Sequence, residues 1–215
     1  MSLDLTEARE KMVADQLEQR GITDARVLDA MRAVARDRFV PAELAEHAYD
    51  DAPLPIGSDQ TISQPYMVAL MSEVAMLRGS ERVLEVGTGS GYQCAILAHL
   101  AAEVYSIEFH QSLHDRARAI LTAMGLTNVH LRCGDGSDGW PDAAPFDVII
   151  VTAAMPGVAR PLLDQLAPHG RLVAPIGEDE LQNLVRISRE NGSWREDYFG
   201  ECRFVRMTGK YGFQE

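Results

Sequence analysis

Ten consecutive residues decide the fold class of this chain: Arg82-Val83-Leu84-Glu85-Val86-Gly87-Thr88-Gly89-Ser90-Gly91. The first five form an apolar run that predicts a short buried strand, and the apolar segment at 92–100 predicts a helix. A loop of closely spaced glycines between a strand and a helix allows a ligand to approach the backbone closely. The stretch therefore predicts a ligand-binding strand–loop–helix unit.

Strands and helices alternate on the carboxyl side of this unit. Further strands are predicted at 104–108, 129–133, 146–151 and 171–176, and further helices at 111–124 and 158–166. Strands that are separated by helices form parallel sheets that are covered on both faces. We therefore expect an α/β protein with a Rossmann-like, mostly parallel sheet and helices on both faces.

The segment before the glycines, residues 1–78, reads as helical with one unusual loop. Thr6 and Thr23 are each predicted to cap a helix, because a threonine side chain can accept a hydrogen bond from a free backbone N–H. The loop at 50–65 contains three prolines and one glycine, which predicts a fixed shape. Pro65 is expected as the first residue of a third helix.

The last segment, residues 178–215, lacks helical periodicity. Strands are predicted at 184–188 and 203–207, as extensions of the same sheet. A length of 215 residues suits one domain. We expect a single domain, 1–215, in which an α/β core at 79–177 lies between the helical segment and the C-terminal strands.

Composition and charge disfavour several classes of protein. The contents of 46% hydrophobic and 24% charged residues are ordinary for a globular protein. The net charge of −12 disfavours nucleic acid as a partner, because nucleic acids are polyanions. The three cysteines form no Cys-x-x-Cys pair and the N-terminus is unlike a signal peptide, so a cytoplasmic location is expected. No run approaches the roughly 18 apolar residues of a membrane span.

The glycine motif favours a nucleoside ligand over a dinucleotide. Tyr92 stands where the dinucleotide fingerprint has its third glycine. Glu85, Glu108 and Asp135 follow or end three successive strands. A carboxylate can accept both ribose hydroxyls, and several acids favour a cation, so this set suits S-adenosylmethionine. Taken singly, the glycines fit a tight turn and the acids fit a turn or a solvated surface.

Other patterns that could carry chemistry are weak. His110 and His114 are four residues apart on a predicted helix, but no third ligand has a suitable spacing, and no metal site is expected. The fourth strand is followed by Ala153-Ala154-Met155-Pro156, without the Asn/Asp-Pro-Pro-Tyr clamp used for nucleobases or amide nitrogens. No cysteine follows a proline, which disfavours a cysteine nucleophile of the cytosine-methylating type.

Several blocks of sequence give the chain a family resemblance. They are Arg38-Phe39-Val40-Pro41, Pro53-Leu54-Pro55-Ile56-Gly57, Gln60-Thr61-Ile62-Ser63-Gln64-Pro65, residues 84–92, Gly134-Asp135-Gly136, residues 146–154 and Cys202-Arg203-Phe204-Val205. On these blocks the chain resembles the protein-L-isoaspartate (D-aspartate) O-methyltransferases over nearly its whole length. The glycine motif is shared by many methyltransferases, whereas the second and third blocks are specific to this family.

The resemblance implies a protein-repair enzyme. Such an enzyme transfers a methyl group from S-adenosylmethionine to the α-carboxylate of L-isoaspartyl residues, and of D-aspartyl residues, in damaged proteins and peptides. The methyl ester closes to a succinimide, which partly reopens as normal aspartate. Because a carboxylate is already ionised at neutral pH, no general base is needed, and the enzyme's task is to align the reacting atoms. A monomer is the expected state.

The strand-end pattern and the resemblance together predict the site residues. The cofactor is expected at Glu85, Gly87, Thr88, Gly89, Gly91, Tyr92, Glu108, Asp135, Gly136 and Thr208. The peptide is expected at Ile56, Thr61, Ile62, Ser63, Tyr66, Ala153, Ala154 and Val205. The resemblance implies Ser63 as the catalytic residue, which would orient the carboxylate by a hydrogen bond. From the sequence alone, helix capping is an equally good role for Ser63, because it lies just before Pro65.

Two positions depart from the family pattern. Asp59 stands where many members have glycine, and Arg206 stands where a proline usually follows the Phe-Val pair. Both are expected near the substrate entrance, so they bear on peptide preference more than on reaction type.

Three other functions remain open at this point. One is a methyltransferase that acts on a small molecule or on another protein group and shares only the cofactor half. Another is a non-catalytic regulator that binds a nucleoside. An NAD-dependent dehydrogenase is disfavoured by Tyr92 at the third glycine position and by Glu85.

Overall fold

The computed structural model describes residues 5–178, 181–190 and 192–213. Within these residues the α-helices are α1 (Leu5–Lys11), α2 (Ala25–Ala33), α3 (Pro65–Val74), α4 (Tyr92–Leu100), α5 (Gln111–Ala123) and α6 (Arg160–Asp164). The strands are β1 (Leu54–Gly57), β2 (Gln60–Ile62), β3 (Arg82–Val86), β4 (Glu103–Glu108), β5 (Val129–Cys133), β6 (Phe146–Val151), β7 (Leu166–Ile176), β8 (Gln182–Glu190) and β9 (Ser193–Cys202).

Seven of these strands form one mixed sheet at the centre of the molecule. Its order is β5-β4-β3-β6-β7-β8-β9, with β3 to β7 parallel and the last two strands antiparallel. The chain order reverses at β3, which pairs with β4 on one side and β6 on the other. Ligands of open α/β sheets bind beyond the carboxyl ends of strands at such a reversal. The predicted Rossmann-like architecture is confirmed.

The central strands are buried on both faces, which explains why they read as continuous apolar runs. In β6, Val148 and Ile150 pack into a cluster with the N-terminal helices, while Ile149 and Val151 pack into a second cluster on the opposite face. Side chains alternate between the faces of a strand, so a strand covered on both faces is apolar at most of its positions. This burial fixes the sheet that carries the site.

The N-terminal segment is helical, as predicted, but both predicted caps are wrong. Thr6 lies inside α1, which already includes Leu5. Asp24, and not Thr23, caps α2, since its carboxylate accepts a hydrogen bond from Arg26 N at 2.9 Å. The hydroxyl and the N–H of Thr23 bind the Glu73 carboxylate instead, which removes Thr23 from the capping role. After α1 the chain continues through a π-helical turn at 12–17 and a 3-10 turn at 18–20.

The proline-containing loop at 50–65 folds into a small hairpin, which the sequence did not predict. Strands β1 and β2 pair antiparallel, and Ser58 and Asp59 connect them. Both residues have positive φ, +53° and +54°, as the two central residues of a type I′ hairpin turn require. The hairpin gives residues 54–62 of this loop regular secondary structure. Pro65 begins α3, as expected.

Two predictions for the C-terminal half are wrong. The helix expected at 158–166 is limited to Arg160–Asp164, because Leu166 already pairs with Phe146 at the start of β7. The strand expected at 203–207 does not form. Its backbone lies along Ala154, whose N–H donates to the carbonyl of Val205 at 2.8 Å.

Strand β9 occupies the edge of the sheet where the 203–207 strand was expected. Most of its residues are exposed, so it lacks the apolar alternation from which strands are recognised. It forms because it pairs with β8 along most of its length.

No helix in the described ranges is long and apolar enough to cross a membrane.

Candidate active site

A cleft of about 790 Å³, which includes the solvent at its mouth, opens at the carboxyl ends of β3, β4 and β6. It brings together many of the residues predicted for the cofactor and the peptide: Thr61, Ile62, Ser63, Gly87, Thr88, Gly89, Tyr92, Glu108, Gly136, Ala153, Val205 and Thr208. The predicted residues that do not line it are Ile56, Tyr66, Glu85, Gly91, Asp135 and Ala154.

The glycine loop after β3 presents main chain to the cleft. Gly87 has a φ of +100°, and a Cβ on it would lie 2.5 Å from Thr152 Oγ1. The same hydroxyl donates a hydrogen bond to the Gly87 carbonyl at 2.5 Å. Only glycine meets both conditions without strain or collision. The loop is therefore held against β6 and leaves room for a ligand to approach its backbone.

Glu108 ends β4 and fixes the other side of the glycine loop. Its Oε2 accepts a hydrogen bond from Gly89 N at 2.7 Å, and its Oε1 accepts one from His110 N at 2.9 Å. Each carboxylate oxygen can accept two hydrogen bonds, so one position on each remains. Glu108 is buried yet lines the cleft. This arrangement suits a carboxylate that accepts hydrogen bonds from two adjacent hydroxyls.

Glu85 lies behind the glycine loop, on the side of β3 that faces α4. Its side chain is fully buried and is hydrogen-bonded to Ser106 Oγ, which is 2.5 Å from Thr88 Oγ1. Burial raises the pKa of Glu85 to about 8, so the carboxyl is mostly neutral at pH 7. Its Oε1 has no hydrogen-bond partner among the described residues. Thr88 lines the cleft, so this chain of hydroxyls connects the buried acid to it.

Asp135 faces the C-terminal segment and not the cleft. Its carboxylate accepts hydrogen bonds from Ser137 N and Lys210 N, both at 2.8 Å. Burial alone would raise the pKa of Asp135, but these backbone donors outweigh it and lower the pKa. The side chain therefore anchors the backbone at Lys210, while the adjacent Gly136 lines the cleft.

The acceptor side of the cleft is formed by the end of β2 and by the segments after β6 and β9. Ser63 is half-buried, and no hydrogen-bond partner of its hydroxyl is found in the described part of the chain. The alternative role of Ser63 as a helix cap is wrong, because Gln64 is the N-cap of α3 and no side chain caps that helix. The hydroxyl of Ser63 is thus available at the cleft.

The remaining predicted residues support the site from behind. Gly91 is the N-cap of α4, and Ile56 is fully buried beneath the glycine loop. Tyr66 faces the N-terminal helices, with the Arg20 guanidinium 3.6 Å from its ring centre. The Ala154 backbone binds the 205–207 segment. Across the described ranges, no group of three or more metal-ligating side chains is found.

A family model for protein-L-isoaspartate(D-aspartate) O-methyltransferase matches residues 7–212, almost the whole chain. The chain belongs to this family. The resemblance based on the sequence blocks is thereby confirmed, as are the methyltransferase class and the use of S-adenosylmethionine.

Individual relatives agree with the family match. The chain is 54% identical, over 98% of both chains, to protein-L-isoaspartate O-methyltransferase 2 of Geotalea uraniireducens. A solved protein-L-isoaspartate O-methyltransferase superposes with a TM-score of 0.85 at 29% identity, covering 95% of this chain and 67% of the other. A structure from Plasmodium falciparum, described as a beta-aspartate methyltransferase in complex with S-adenosyl-L-homocysteine, gives 0.80 at 26% identity, with 93% and 98% covered.

The two departures from the pattern of the isoaspartate methyltransferase family lie in different surroundings. Asp59 is exposed in the hairpin turn with a φ of +54°, a conformation in which glycine has no steric penalty. Arg206 lines the cleft, and its guanidinium lies 4.9 Å from the centre of the Phe213 ring. Arg206 is therefore the departure that can contact a ligand directly.

The sequence missed several residues that line the cleft of this methyltransferase. Phe109 and His110 follow Glu108 directly, and Thr152 follows β6. Their position just after strands at the chain reversal is a signal that could have found them. Gln93, on the first turn of α4, carried no such signal, because it does not directly follow a strand and lies within a mostly apolar helix.

Proposed function

We propose that this protein transfers the methyl group of S-adenosylmethionine to the α-carboxylate of L-isoaspartyl residues, and of D-aspartyl residues, in damaged proteins and peptides. The observation that carries the proposal is one cleft in which the glycine loop and Glu108 face Ser63 and Val205. A cofactor half and an acceptor half thus share one cavity. The match to the isoaspartate methyltransferase family over residues 7–212 supports the same substrate.

The cofactor half fits an S-adenosylmethionine group. Glu108 keeps one free acceptor position on each oxygen, as the two hydroxyls of a ribose require. Gly87 and Gly89 leave the loop without side chains where the nucleoside would lie. Phe109 is about half exposed beside Glu108 and offers an aromatic ring to a base. The bound cofactor would supply an electrophilic methyl group on a sulfonium.

The acceptor half would orient an anion. The Ser63 hydroxyl would donate a hydrogen bond to one oxygen of the isoaspartyl carboxylate and leave the other oxygen for reaction. A new oxygen–carbon bond forms as the carbon–sulfur bond breaks, and no proton needs to be removed, because the carboxylate is ionised. Ile62 and Val205 would exclude water from the reacting atoms. The alignment of the two groups is the main catalytic contribution.

The experiment that tests this function compares methyl transfer to an isoaspartyl peptide with transfer to its aspartyl twin. We expect methyl ester only on the isoaspartyl peptide. Ser63→Ala should lower kcat/KM by about 10- to 100-fold, the cost of one hydrogen bond to a charged group, and leave the affinity for S-adenosyl-L-homocysteine within about twofold. Ser58→Ala, on the exposed hairpin turn, is the matched control and should have no effect. Equal methylation of both peptides would refute the proposal.

Further parts of the proposal concern organisation and location. The sheet from β3 to β9 and the helices packed on it support a single domain. Cys94, Cys133 and Cys202 are all free, which supports a reducing cytoplasm. We also propose that the protein is a monomer. Nucleic acid is not proposed as a partner, because the net charge is −12.

A further inference from the structure

Arg36 is the largest fully buried side chain of the protein within the described residues. It lies on a short 3-10 turn, Arg36–Phe39, and its guanidinium points beneath the loop that leads to Ser63. The guanidinium donates hydrogen bonds to three backbone carbonyls, those of Ala48 at 2.7 Å, Ser63 at 2.8 Å and Ala52 at 3.4 Å. One side chain thus ties both ends of the loop at 50–65 to the N-terminal segment.

The partners of Arg36 are unusual for a buried cation. No carboxylate forms an ion pair with it in the described part of the chain. The Tyr92 ring, which lines the cleft, lies with its centre 5.2 Å from the guanidinium carbon. Burial lowers the pKa of Arg36 to about 10, so the group remains charged at neutral pH. A buried charge without a counter-ion is costly, and three carbonyl contacts must compensate for it.

The contact with Ser63 fixes the backbone at the point where the hydroxyl is used. Ser63 directly follows the last residue of β2, and only Gln64 lies between it and the first residue of α3. Its carbonyl is held by Arg36, and Pro65 restricts the backbone that follows. With the backbone held on both sides, the Ser63 side chain has only its own rotation left. Charged donors give stronger hydrogen bonds than neutral ones, so Arg36 suits this role better than a neutral side chain.

We propose that Arg36 is a positioning residue for methyl transfer, which holds the Ser63 backbone so that the hydroxyl meets the acceptor carboxylate. This inference rests on the proposed function, because it assumes that Ser63 binds the acceptor. Arg36 itself does not line the cleft and is not expected to touch the cofactor or the substrate.

A double-mutant cycle tests the proposal. Arg36→Met, Ser63→Ala and the double variant are compared by kcat and KM for an isoaspartyl peptide and by the affinity for S-adenosyl-L-homocysteine. If Arg36 acts through Ser63, Arg36→Met alone lowers kcat/KM by about tenfold or more, but lowers it less than about threefold further when Ser63 is already alanine. Cofactor-product affinity stays within about twofold in all variants. Multiplicative losses would overturn the proposal, because they indicate independent effects.

Arg171→Met is the matched control. The Arg171 guanidinium also donates to backbone carbonyls, those of Ala75 and Met76, but at the opposite end of α3. Its effect on kcat/KM should be small, and it should multiply with that of Ser63→Ala. Non-additivity of the same size for Arg171 would show that the loss of any guanidinium that binds backbone carbonyls gives the same result, and would overturn the proposal.

A second variant keeps the test decisive if Arg36→Met does not fold. Arg36→Lys retains the charge but cannot reach three carbonyls in the fixed planar geometry of a guanidinium. The same cycle with Arg36→Lys should show a smaller loss of kcat/KM that again depends on Ser63. If Ser63→Ala alone has no effect on isoaspartyl methylation, the proposed function of Ser63 fails, and the role of Arg36 fails with it. If Ser63→Ala impairs methylation but the Arg36 effects are independent, only the inference about Arg36 fails.

Discussion

Glu85→Gln should make the protein more stable at alkaline pH and change the pH dependence of its stability. Glu85 is fully buried, and burial raises its pKa from an ordinary value of 4.5 to about 8. In the unfolded chain the same group ionises near 4.5. Between these two values the folded state holds a proton that the unfolded state has released. Stability therefore falls as pH rises through this window and becomes constant above about pH 8.

The magnitude follows from the distance between the two pKa values. The interval from 4.5 to about 8 corresponds to roughly 5 kcal/mol of unfolding free energy at about 1.36 kcal/mol per pH unit, as an upper limit. Glutamine cannot ionise, so the variant lacks this pH-dependent loss. It keeps a carbonyl oxygen for Ser106 and an amide N–H₂ in place of the carboxyl proton. For a chain of this size, the predicted difference amounts to roughly 10 °C in Tm at pH 9.

The assay is thermal or urea unfolding of both proteins from pH 5 to pH 9, with the difference between them plotted against pH. Relative to wild type, the free energy of unfolding of Glu85→Gln should increase between about pH 5 and pH 8 and then become constant. Glu81→Gln is the control, because backbone N–H donors outweigh burial and lower the pKa of Glu81. The stability that Glu81→Gln loses relative to wild type should be constant from pH 5 to pH 9 and should become smaller only below pH 4.5. Parallel curves for wild type and Glu85→Gln would refute the reasoning.

Three further predictions concern the cleft. Glu108→Gln should weaken S-adenosyl-L-homocysteine binding by about 10- to 100-fold in calorimetry. The reason is that an NH₂ group, which only donates hydrogen bonds, replaces one of the two oxygens that would accept from the ribose hydroxyls. Unchanged affinity would exclude Glu108 from the ribose site. Gly87→Ala should abolish cofactor binding and lower Tm, since its Cβ would lie 2.5 Å from Thr152 Oγ1 at a φ of +100°. Raising ionic strength from about 10 to 150 mM should lower KM for an acidic isoaspartyl peptide by about twofold, because salt screens the net charge of −12; a higher KM would contradict this.

The central part of the fold could be predicted from the sequence, because burial on both faces leaves a strong apolar signal. Strands such as Arg82–Val86 and Phe146–Val151 have the predicted bounds. The edge strand Ser193–Cys202 could not be predicted, because most of its residues are exposed and only pairing with β8 defines it. The hairpin turn at Ser58 and Asp59 was missed for a different reason. Neither residue is glycine, although both adopt positive φ.

The site could be predicted where function requires a residue at the end of a strand. Glu108 follows this rule and lines the cleft. The rule failed for Glu85 and Asp135, since a strand end fixes the position of a residue but not the direction of its side chain. Glu85 points under α4, and Asp135 points to the C-terminal segment. Arg36 carried no signal at all, because its importance arises from three carbonyls that are distant in sequence.

The directions of these side chains change the electrostatic account of the cleft. Three acids at neighbouring strand ends suggest a strongly negative site, which would favour a cationic cofactor but repel an anionic acceptor. In the structure Glu85 is mostly neutral at pH 7, and Asp135 is engaged by backbone donors away from the cleft. Glu108 alone of these three faces the cleft, and two main-chain N–H groups bind its carboxylate. One partly compensated negative charge can accompany one sulfonium without a large penalty for a carboxylate at Ser63. The acidic surface and an anionic substrate are therefore compatible.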